Sequence, residues 1–418
     1  MRWPDIPDFD SLAIPVMHSA KWNDSISFEG KRIGIIGGGS SAIQIVPQMQ
    51  RVKDSKLSCF VRSKTWIAKP FGDTIMGDLG LEEASIPEQL RERLATDPEF
   101  LHQFRTIVEK RGNSMHALTI RDSPLQKFVR PIIENLMQQG LAKKPEILEA
   151  LLPDFGVGCR RLTPGPGYLE ALTADNVDFI TTRIKSAYAN GLELDDGTKV
   201  ELDVLICATG FYTGLAPPFP IIGINGQSLE SRFAEFPETY LSIATDGFPN
   251  FFFMCGPNGA IGTGPLTTIL ESMGDYIVKC IRKLQRDNIQ AMEVQPQRVQ
   301  DFVAYMDHYF KKTVYTDSCH TWYSRNGRIT MIWPGSSLHA METLRSPRWE
   351  DWNYIYRGEE EGGKETNRLG WLGNGWSAPQ LDDSQGDITY FVNPEEVDVP
   401  SEPLPEKTAG NVRRAYSY

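Results

Sequence analysis

The clearest pattern along the chain is a short apolar run that ends in glycines and passes into an apolar helical face. Ile33, Ile35 and Ile36 form a β-branched run that is typical of a buried parallel strand. The following residues, 37–47, begin with glycines, and their apolar positions then recur with helical spacing. A strand, a glycine turn and a helix in this order predict the first βα unit of a Rossmann-like domain.

Other apolar segments predict further elements. We expect strands at residues 57–61, 177–180, 191–194, 199–202, 204–208 and 251–255, and helices at residues 87–95, 98–111, 124–139, 145–152 and 266–284. Asp195, Asp196 and Gly197 predict a hairpin turn between two of these strands. The helices before residue 154 each begin near a proline, which is common in the first helical turn. They predict a helical insertion that either covers a substrate site or forms an inert packing layer.

The glycine turn has the spacing of a dinucleotide fingerprint. Gly37, Gly39 and Ala42 give the pattern GxGxxA, which combines a tight turn, room for a pyrophosphate and close packing of helix on strand. Ser40 and Ser41 open the helix, whose free N–H groups and positive dipole end suit phosphates. We predict that these residues bind a dinucleotide. An ordinary glycine-rich turn is the alternative.

The residues after the next strand indicate which dinucleotide binds. An NAD site usually has an Asp or Glu about 20 residues after the first glycine, where it holds the ribose 2′-hydroxyl. Arg62 stands in this region, followed by Ser63 and Lys64. Cations suit a 2′-phosphate, which an arginine can bind with two hydrogen bonds. The segment therefore predicts NADPH, with a solvated basic turn as the alternative.

Composition and charge restrict the class of protein. The chain has 418 residues, of which 40% are hydrophobic, so it can bury a large core. Its net charge of −11 argues against nucleic acid or an anionic membrane as the main partner. The N-terminus has no signal-peptide pattern and no apolar run has transmembrane length, so we expect a cytoplasmic protein. The six cysteines are scattered, which predicts reduced thiols and neither a disulfide framework nor a metal site.

Three other stretches carry candidate chemistry. Arg160 and Arg161 enter a bend rich in proline and glycine, an arrangement that suits the binding of anions. Ala208, Thr209 and Gly210 form a turn after the predicted strand at 204–208. A second glycine-rich loop, residues 256–265, leads into the helix predicted at 266–284. The positive end of that helix can stabilise negative charge on a bound cofactor ring.

These stretches resemble the class B flavoprotein monooxygenases, and within them the Baeyer–Villiger monooxygenases. The similar segments are HSAKW at 18–22, IGGGSSAIQIVP at 36–47, CRR at 159–161 and DVLICATGF at 203–211. CHTWY at 319–323 and WPGS at 333–336 are similar to fungal members that act in polyketide pathways. Leu12 and Ile14 depart from the family's HxxxW signature, which has Phe and Gly there. The family's first GxGxxG domain is not found upstream, so the chain resembles a member that lacks its N-terminal portion.

The resemblance implies an α/β fold with a Rossmann-like NADPH-binding domain, a helical insertion and the C-terminal part of a second, FAD-type dinucleotide-binding domain. The expected division is a linker at 1–30, the NADPH-binding domain at 31–68 and 155–205, the insertion at 69–154, the remainder of the FAD and substrate domain at 206–346, and an extended tail at 347–418. In such a chain we expect the strands at 204–208 and 251–255 to lack sheet partners. We also expect FAD to bind weakly unless a separate FAD-domain segment is supplied.

The resemblance also implies the chemistry. NADPH would reduce FAD, and one oxygen atom of O₂ would be inserted beside the carbonyl of a ketone to give an ester or lactone, in secondary metabolism. By similarity Arg161 would be the catalytic residue that stabilises the developing charge, and Arg160 would hold the 2′-phosphate together with Arg62. Trp322 would lie on the nicotinamide side, and residues 262–266 would line the flavin and substrate cavity. His18 resembles a residue that couples domains.

Three functions therefore remain open at the level of sequence. The first is Baeyer–Villiger oxidation of a small-molecule ketone with O₂. The second is hydroxylation of nitrogen or sulfur with the same cofactors. The third is a catalytically silent NADPH-binding fragment or partner subunit, which the missing flavin domain suggests. For Arg161 itself, a structural ion pair is the alternative to a catalytic role.

Overall fold

The computed structural model of the protein describes residues 1–69, 86–213, 216–319, 321–357, 368–381 and 388–389. The chain divides into two compact units, one formed by Met1–Leu284 and Ile289–Ile355 and the other by Gln285–Asn288 and Tyr356–Tyr418. Part of the predicted insertion (70–85), His320 of the CHTWY segment and most of the predicted tail lie outside the described residues.

The described elements are numbered here in chain order. The strands are β1 Val16–His18, β2 Arg32–Ile36, β3 Lys56–Phe60, β4 Ile67–Ala68, β5 Thr163–Pro164, β6 Val177–Ile180, β7 Ile184–Tyr188, β8 Gly191–Leu194, β9 Lys199–Glu201, β10 Val204–Cys207, β11 Ile289–Val294, β12 Ser324–Arg325, β13 Arg328–Ile329 and β14 Trp352–Tyr356. The helices are α1 Ser40–Gln50, α2 Glu88–Thr96, α3 Pro98–Ser114, α4 Pro124–Gly140, α5 Pro145–Leu151, α6 Tyr168–Leu172, α7 Leu229–Arg232, α8 Leu266–Arg286, α9 Pro296–Phe310, α10 Ser337–Leu344 and α11 Ala378–Leu381.

A five-stranded sheet forms the centre of the first unit. Its strand order is β1-β10-β2-β3-β6, and every neighbouring pair is parallel. Ile33 and Ile35 on β2 are completely buried, as expected of a parallel strand that is covered on both faces. Ile36 pairs with both Phe60 and Cys207, so β2, β3 and β10 end at the same edge of the sheet. Ligands bind at this carboxyl edge in open α/β sheets.

Two predictions about strands are wrong. Strand β10 does not lack partners, because it pairs with β1 on one side and β2 on the other. Its partner β1 comes from the first 30 residues, which we expected to be a linker. Residues 251–255 do not form a strand, although Phe253 N–H bonds to Ile243 O at 2.7 Å. Three successive phenylalanines predict a strand by propensity, but here Phe251 and Phe253 pack into a local aromatic cluster instead.

The helical insertion is confirmed as helical in its described part. Pro98, Pro124 and Pro145 occupy the first turns of α3, α4 and α5, as the sequence predicts. Helix α4 buries Ile133 and Met137 in the same core as the central sheet. Helix α3 differs, because none of its residues is fully buried.

The predicted helix at 266–284 is α8, which packs with α9 in a second core. The predicted hairpin is also present, with β8 and β9 antiparallel and Gly197 at a φ of 85°. None of the described helices is both long enough and apolar enough to cross a membrane.

Candidate functional site

The glycine turn lies at the carboxyl edge of the central sheet, between β2 and α1. Gly37 has a φ of 139°, and a Cβ added there would lie 2.5 Å from the carbonyl oxygen of Ala208. Only glycine suits such a conformation at so close an approach. Gly39 is different, since a Cβ there would meet no atom within 4 Å. Open space beside an uncapped helix N-terminus fits the pyrophosphate of a dinucleotide.

The first turn of α1 is fixed by packing and by one hydroxyl pair. Ser40 Oγ lies 2.7 Å from Oγ1 of Thr163. Ser41 remains exposed, whereas Ala42 is completely buried. A small residue at position 42 allows the helix to pack closely on the strand, as the fingerprint predicts.

Cationic side chains gather after β3. Nη1 of Arg160 donates to Ser63 Oγ at 3.2 Å and to the carbonyl oxygen of Lys64 at 3.0 Å. Arg62 is exposed and has no ion pair or hydrogen-bond partner in the described part of the chain. Burial lowers the pKa of Arg160, which remains a cation. The structure thus places Arg160 against Ser63 and Lys64, next to Arg62 in the chain, as the resemblance implies.

The turn after β10 lies beside the glycine turn. Ala208 N–H donates to Ile36 O at 2.9 Å. Gly210 has a φ of 83°, and its carbonyl oxygen lies 3.0 Å from Nε2 of the completely buried His18. The hydroxyl of Thr209 donates to the backbone of Arg2. His18 therefore fixes the end of β10, and this geometry gives no sign of acid–base chemistry.

Arg161 lines a cavity of about 370 Å³ in the first unit. Its guanidinium group is the positive charge in a mainly apolar lining that also includes Glu109, and none of the described residues forms an ion pair with it. The lining comes from α3, the turn that follows it, the loop that carries Arg161, and the second glycine-rich loop; its residues are Val108, Glu109, Gly112, Met115, Leu118, Thr119, Gly158, Arg161, Leu162, Ile261, Gly262, Thr263, Gly264, Pro265 and Tyr315. The cavity is large enough for a small ligand.

The loop before Arg161 is cross-linked to the segment that follows α9. Oδ2 of Asp317 accepts from the N–H of Gly156 at 2.8 Å, and its Oδ1 accepts from Nη2 of Arg121 at 2.9 Å. Cys159 and Cys319 form a disulfide, so the prediction that all six cysteines are reduced thiols is wrong for this pair. They are 160 residues apart in sequence, and no local pattern reveals such a contact. Cys59, Cys207, Cys255 and Cys280 are free.

Some residues of the site lie outside what sequence patterns can reveal. Tyr315 and the residues of α3 line the cavity, yet none of them belongs to a motif singled out in the sequence. Trp322 is 48% exposed and contacts Tyr323, with ring centroids 4.8 Å apart. It is not part of the cavity lining, and its place beside the nicotinamide stays a prediction.

Comparison with known proteins identifies relatives over nearly the whole chain. The chain is 34% identical over 396 residues to the FAD-binding monooxygenase tazF of Aspergillus terreus, covering 94% of this chain and 69% of that protein. It is 29% identical over 346 residues to a Baeyer–Villiger monooxygenase of Streptomyces coelicolor, covering 82% of this chain and 64% of the relative. The chain thus spans about two thirds of the length of these relatives. No protein-family model matches it.

Solved structures with the same fold are more distant in sequence. Cyclohexanone-bound cyclohexanone monooxygenase aligns with a TM-score of 0.68 at 21% identity, over 85% of this chain and 72% of that one. The OTEMO complex with FAD and NADP aligns with a TM-score of 0.70 at 20% identity, over 85% and 73% of the two chains. These similarities establish an α/β fold with a parallel sheet shared with monooxygenase structures.

Proposed function

Since this chain belongs to the FAD-binding monooxygenase family, we propose that it is an NADPH- and FAD-dependent monooxygenase of the Baeyer–Villiger type, acting on a ketone in secondary metabolism. The observation that supports this proposal most strongly is the position of Arg161. A guanidinium group without a carboxylate partner among the described residues lines a mainly apolar cavity, beside a glycine-rich loop and before a helix N-terminus. This arrangement suits a neutral substrate on which negative charge develops.

The nucleotide would be held by the carboxyl edge of the sheet. The backbone of Gly37, Gly39 and the first turn of α1 would take the pyrophosphate, because the site leaves open space there. Arg62 and Arg160, with Ser63 and Lys64 between them in space, would hold the 2′-phosphate. Trp322 would lie on the nicotinamide side. These residues fit NADPH better than NADH, because no carboxylate stands where the ribose 2′-hydroxyl of NAD would be bound.

The flavin would be held by the turn of Ala208, Thr209 and Gly210 and by the loop at 256–265. Bound FAD would supply the redox chemistry, namely acceptance of a hydride from NADPH and activation of O₂. The protein's own residues orient the ketone, exclude water and stabilise charge. Overall, ketone, O₂, NADPH and a proton would give an ester or lactone, NADP⁺ and water.

Arg161 would act as the electrostatic catalyst. A guanidinium group can supply positive charge without any proton transfer during the reaction. Its loop is held by Asp317 and by the Cys159–Cys319 disulfide. Because the backbone of this loop is anchored, the exposed guanidinium group is kept at the cavity wall, where it can stabilise developing negative charge. A residue in a structural ion pair would be neutralised by a partner, and the described residues provide none.

The experiment supplies the purified chain with O₂, cyclohexanone, either NADPH or NADH, and FAD in large excess so that the weak binding expected above is saturated, and it detects lactone by gas chromatography. We expect lactone with NADPH, and at least tenfold less with NADH, since one charged hydrogen bond to the phosphate contributes about 1.5–3 kcal/mol. Arg161→Ala should abolish lactone formation. Consumption of NADPH without ester from any of a panel of cyclic and linear ketones would contradict the proposal, as would equal use of both nucleotides.

A further inference from the structure

We propose that the hydroxyl group of Tyr315 is a second catalytic donor, which binds the carbonyl oxygen of the ketone together with Arg161. This inference rests on the proposed function, and it adds a residue that no motif of the sequence indicates. It concerns the oxygen atom that must carry negative charge once a nucleophile has added to the carbonyl carbon.

Tyr315 lines the cavity although it is almost completely buried. It stands in the short 3-10 helix Val314–Thr316 after α9, and only 5% of its surface is exposed. It nevertheless belongs to the cavity lining together with Arg161. A Cβ added at Gly262 would collide with its hydroxyl oxygen, so the hydroxyl occupies space that only a glycine leaves free. Tyr315 thus packs closely against the glycine-rich loop at the cavity wall.

The hydroxyl is available as a donor. None of the described residues accepts a hydrogen bond from it, whereas a buried tyrosine usually finds a partner. Burial raises the pKa of Tyr315 far above neutrality, and Arg161 is close enough to oppose that shift. The group is therefore a neutral O–H at every pH at which the protein works. A substrate oxygen in the cavity would supply the missing acceptor.

The position of the hydroxyl is fixed on both sides. The ring of Tyr315 packs edge-on against Phe310 and Tyr323, with centroid distances of 6.1 and 5.9 Å. Its 3-10 helix is held by Arg121, which donates to Thr313 O at 3.0 Å and to Asp317. Asp317 also binds the loop that carries Arg161. The two donors are therefore attached to one cross-linked junction, which is the pre-organisation that oxyanion stabilisation needs.

The chemistry favours donors of this kind at the carbonyl oxygen. When a nucleophile adds to the ketone, the carbonyl π electrons move to oxygen and leave an alkoxide. Arg161 can supply charge and one hydrogen bond, and the neutral phenol can supply a second hydrogen bond without taking up or releasing a proton. Glu109 also lines the cavity, but as a carboxylate it cannot donate to an alkoxide.

The test compares Tyr315→Phe with the wild type, with FAD and NADPH supplied and cyclohexanone as the probe. Removing one donor to a charged oxygen should lower kcat for lactone formation about tenfold to a hundredfold, with a smaller change in KM. Tyr168→Phe is the matched control, because it removes another buried phenol that has no hydrogen-bond partner among the described residues and is not part of the cavity lining. It should leave kcat unchanged. Reduction by NADPH should be unaffected in both variants.

A second readout does not depend on turnover. Cyclohexanone labelled with ¹³C at its carbonyl carbon serves as the probe. When it is bound to the wild type, its ¹³C resonance should lie downfield of the value in water-free solvent, and in Tyr315→Phe the resonance should move back towards that value. The inference would be overturned if wild type and Tyr315→Phe had equal kcat values and equal carbonyl shifts. In that case, lactone formation by the wild type would still uphold the proposed function. A wild type that forms no lactone and shifts no carbonyl signal would overturn both.

Discussion

Two glycines of the fingerprint have different physical reasons to be glycine. Gly37 adopts a left-handed φ and lies against the Ala208 carbonyl, so the folded chain itself requires it. Gly39 has φ −94° and ψ −177°, which any residue adopts, and no protein atom opposes a Cβ there. The fold therefore requires a glycine at position 37, whereas only a bound ligand could require one at position 39.

This difference gives a paired prediction. Gly37→Ala should destabilise the protein by more than about 1 kcal/mol, because the added methyl group strains φ and meets a backbone oxygen. Gly39→Ala should leave stability within about 0.5 kcal/mol and weaken NADPH at least tenfold, since its methyl group would occupy the place of a phosphate. Urea unfolding and NADPH titration by fluorescence measure the two effects. If Gly39→Ala binds NADPH as the wild type does, the pyrophosphate does not lie there.

At the scale of residues, the sequence predicts the geometry of a site when the residues of that site are close together along the chain. The spacing of Gly37, Gly39 and Ala42 predicts their geometry, since all three lie within one βα turn. Arg160 can be placed near Arg62 only through the resemblance to a family, because the hydrogen bond of Arg160 to Ser63 joins segments 97 residues apart. Tyr315 has no local pattern around it, and its meeting with Gly262 depends on how two loops fold together.

At the scale of elements, the strands and helices with strong periodicity follow the sequence closely, and their boundaries differ by a few residues. Strand β7 and helices α9 and α10 are not among the predicted elements, although the structure contains them. Residues 251–255 show the opposite failure, because tertiary packing of Phe251 and Phe253 overrides their strand propensity. The edge position of β1 could not be foreseen, since three residues carry too little pattern.

The junction between the insertion and α9 contains a histidine that should make stability depend on pH. Nε2 of His116 lies 3.3 Å from the hydroxyl of Tyr309 on α9. Burial lowers the pKa of His116 from 6.5, and His339 and Lys312 lower it further. Burial also lowers the pKa of His339, which accepts a hydrogen bond from Trp333. A lowered folded-state pKa means that the unfolded chain takes up protons first as the pH falls.

We therefore expect these histidines to contribute their full stabilisation above pH 6.5, the pKa of the unfolded chain. The free energy of unfolding should then decrease as the pH falls from 6.5 through the lowered folded-state pKa. His116→Gln should reduce the difference in stability between pH 7.5 and pH 5.0, because one of the two titrating histidines is gone. Urea unfolding at the two pH values measures it. His308→Gln, on the exposed side of α9, is the control. An unchanged pH dependence in His116→Gln would contradict this account.

At the scale of the whole molecule, the Cys159–Cys319 disulfide links two segments that lie 160 residues apart. A cross-link over so long a loop restricts the unfolded chain strongly, and removal of a native disulfide commonly costs about 2–5 kcal/mol. The two half-cystines also stand two and four residues from Arg161 and Tyr315 respectively. The bridge therefore acts on stability and on the cavity together.

Thiol titration of the denatured, unreduced protein should detect four free thiols of the six cysteines. Dithiothreitol should lower the free energy of unfolding by about 2–4 kcal/mol, whereas the double variant Cys159→Ser/Cys319→Ser should not respond to it. Six titratable thiols in protein purified under air would show that the bridge does not form. Cys280→Ser serves as a control, since Cys280 is a buried free thiol.

The weak burial of α3 has a consequence for the evolution of this protein's sequence. Val108, Glu109 and Gly112 on α3 line the cavity, and no residue of the helix is fully buried. Substitutions on a helix without core residues usually cost little stability. The wall of the cavity can therefore vary while the glycine turn and Arg161 stay intact. Under the proposed function, a lineage with this fold can change which ketones it accepts without destabilising its core.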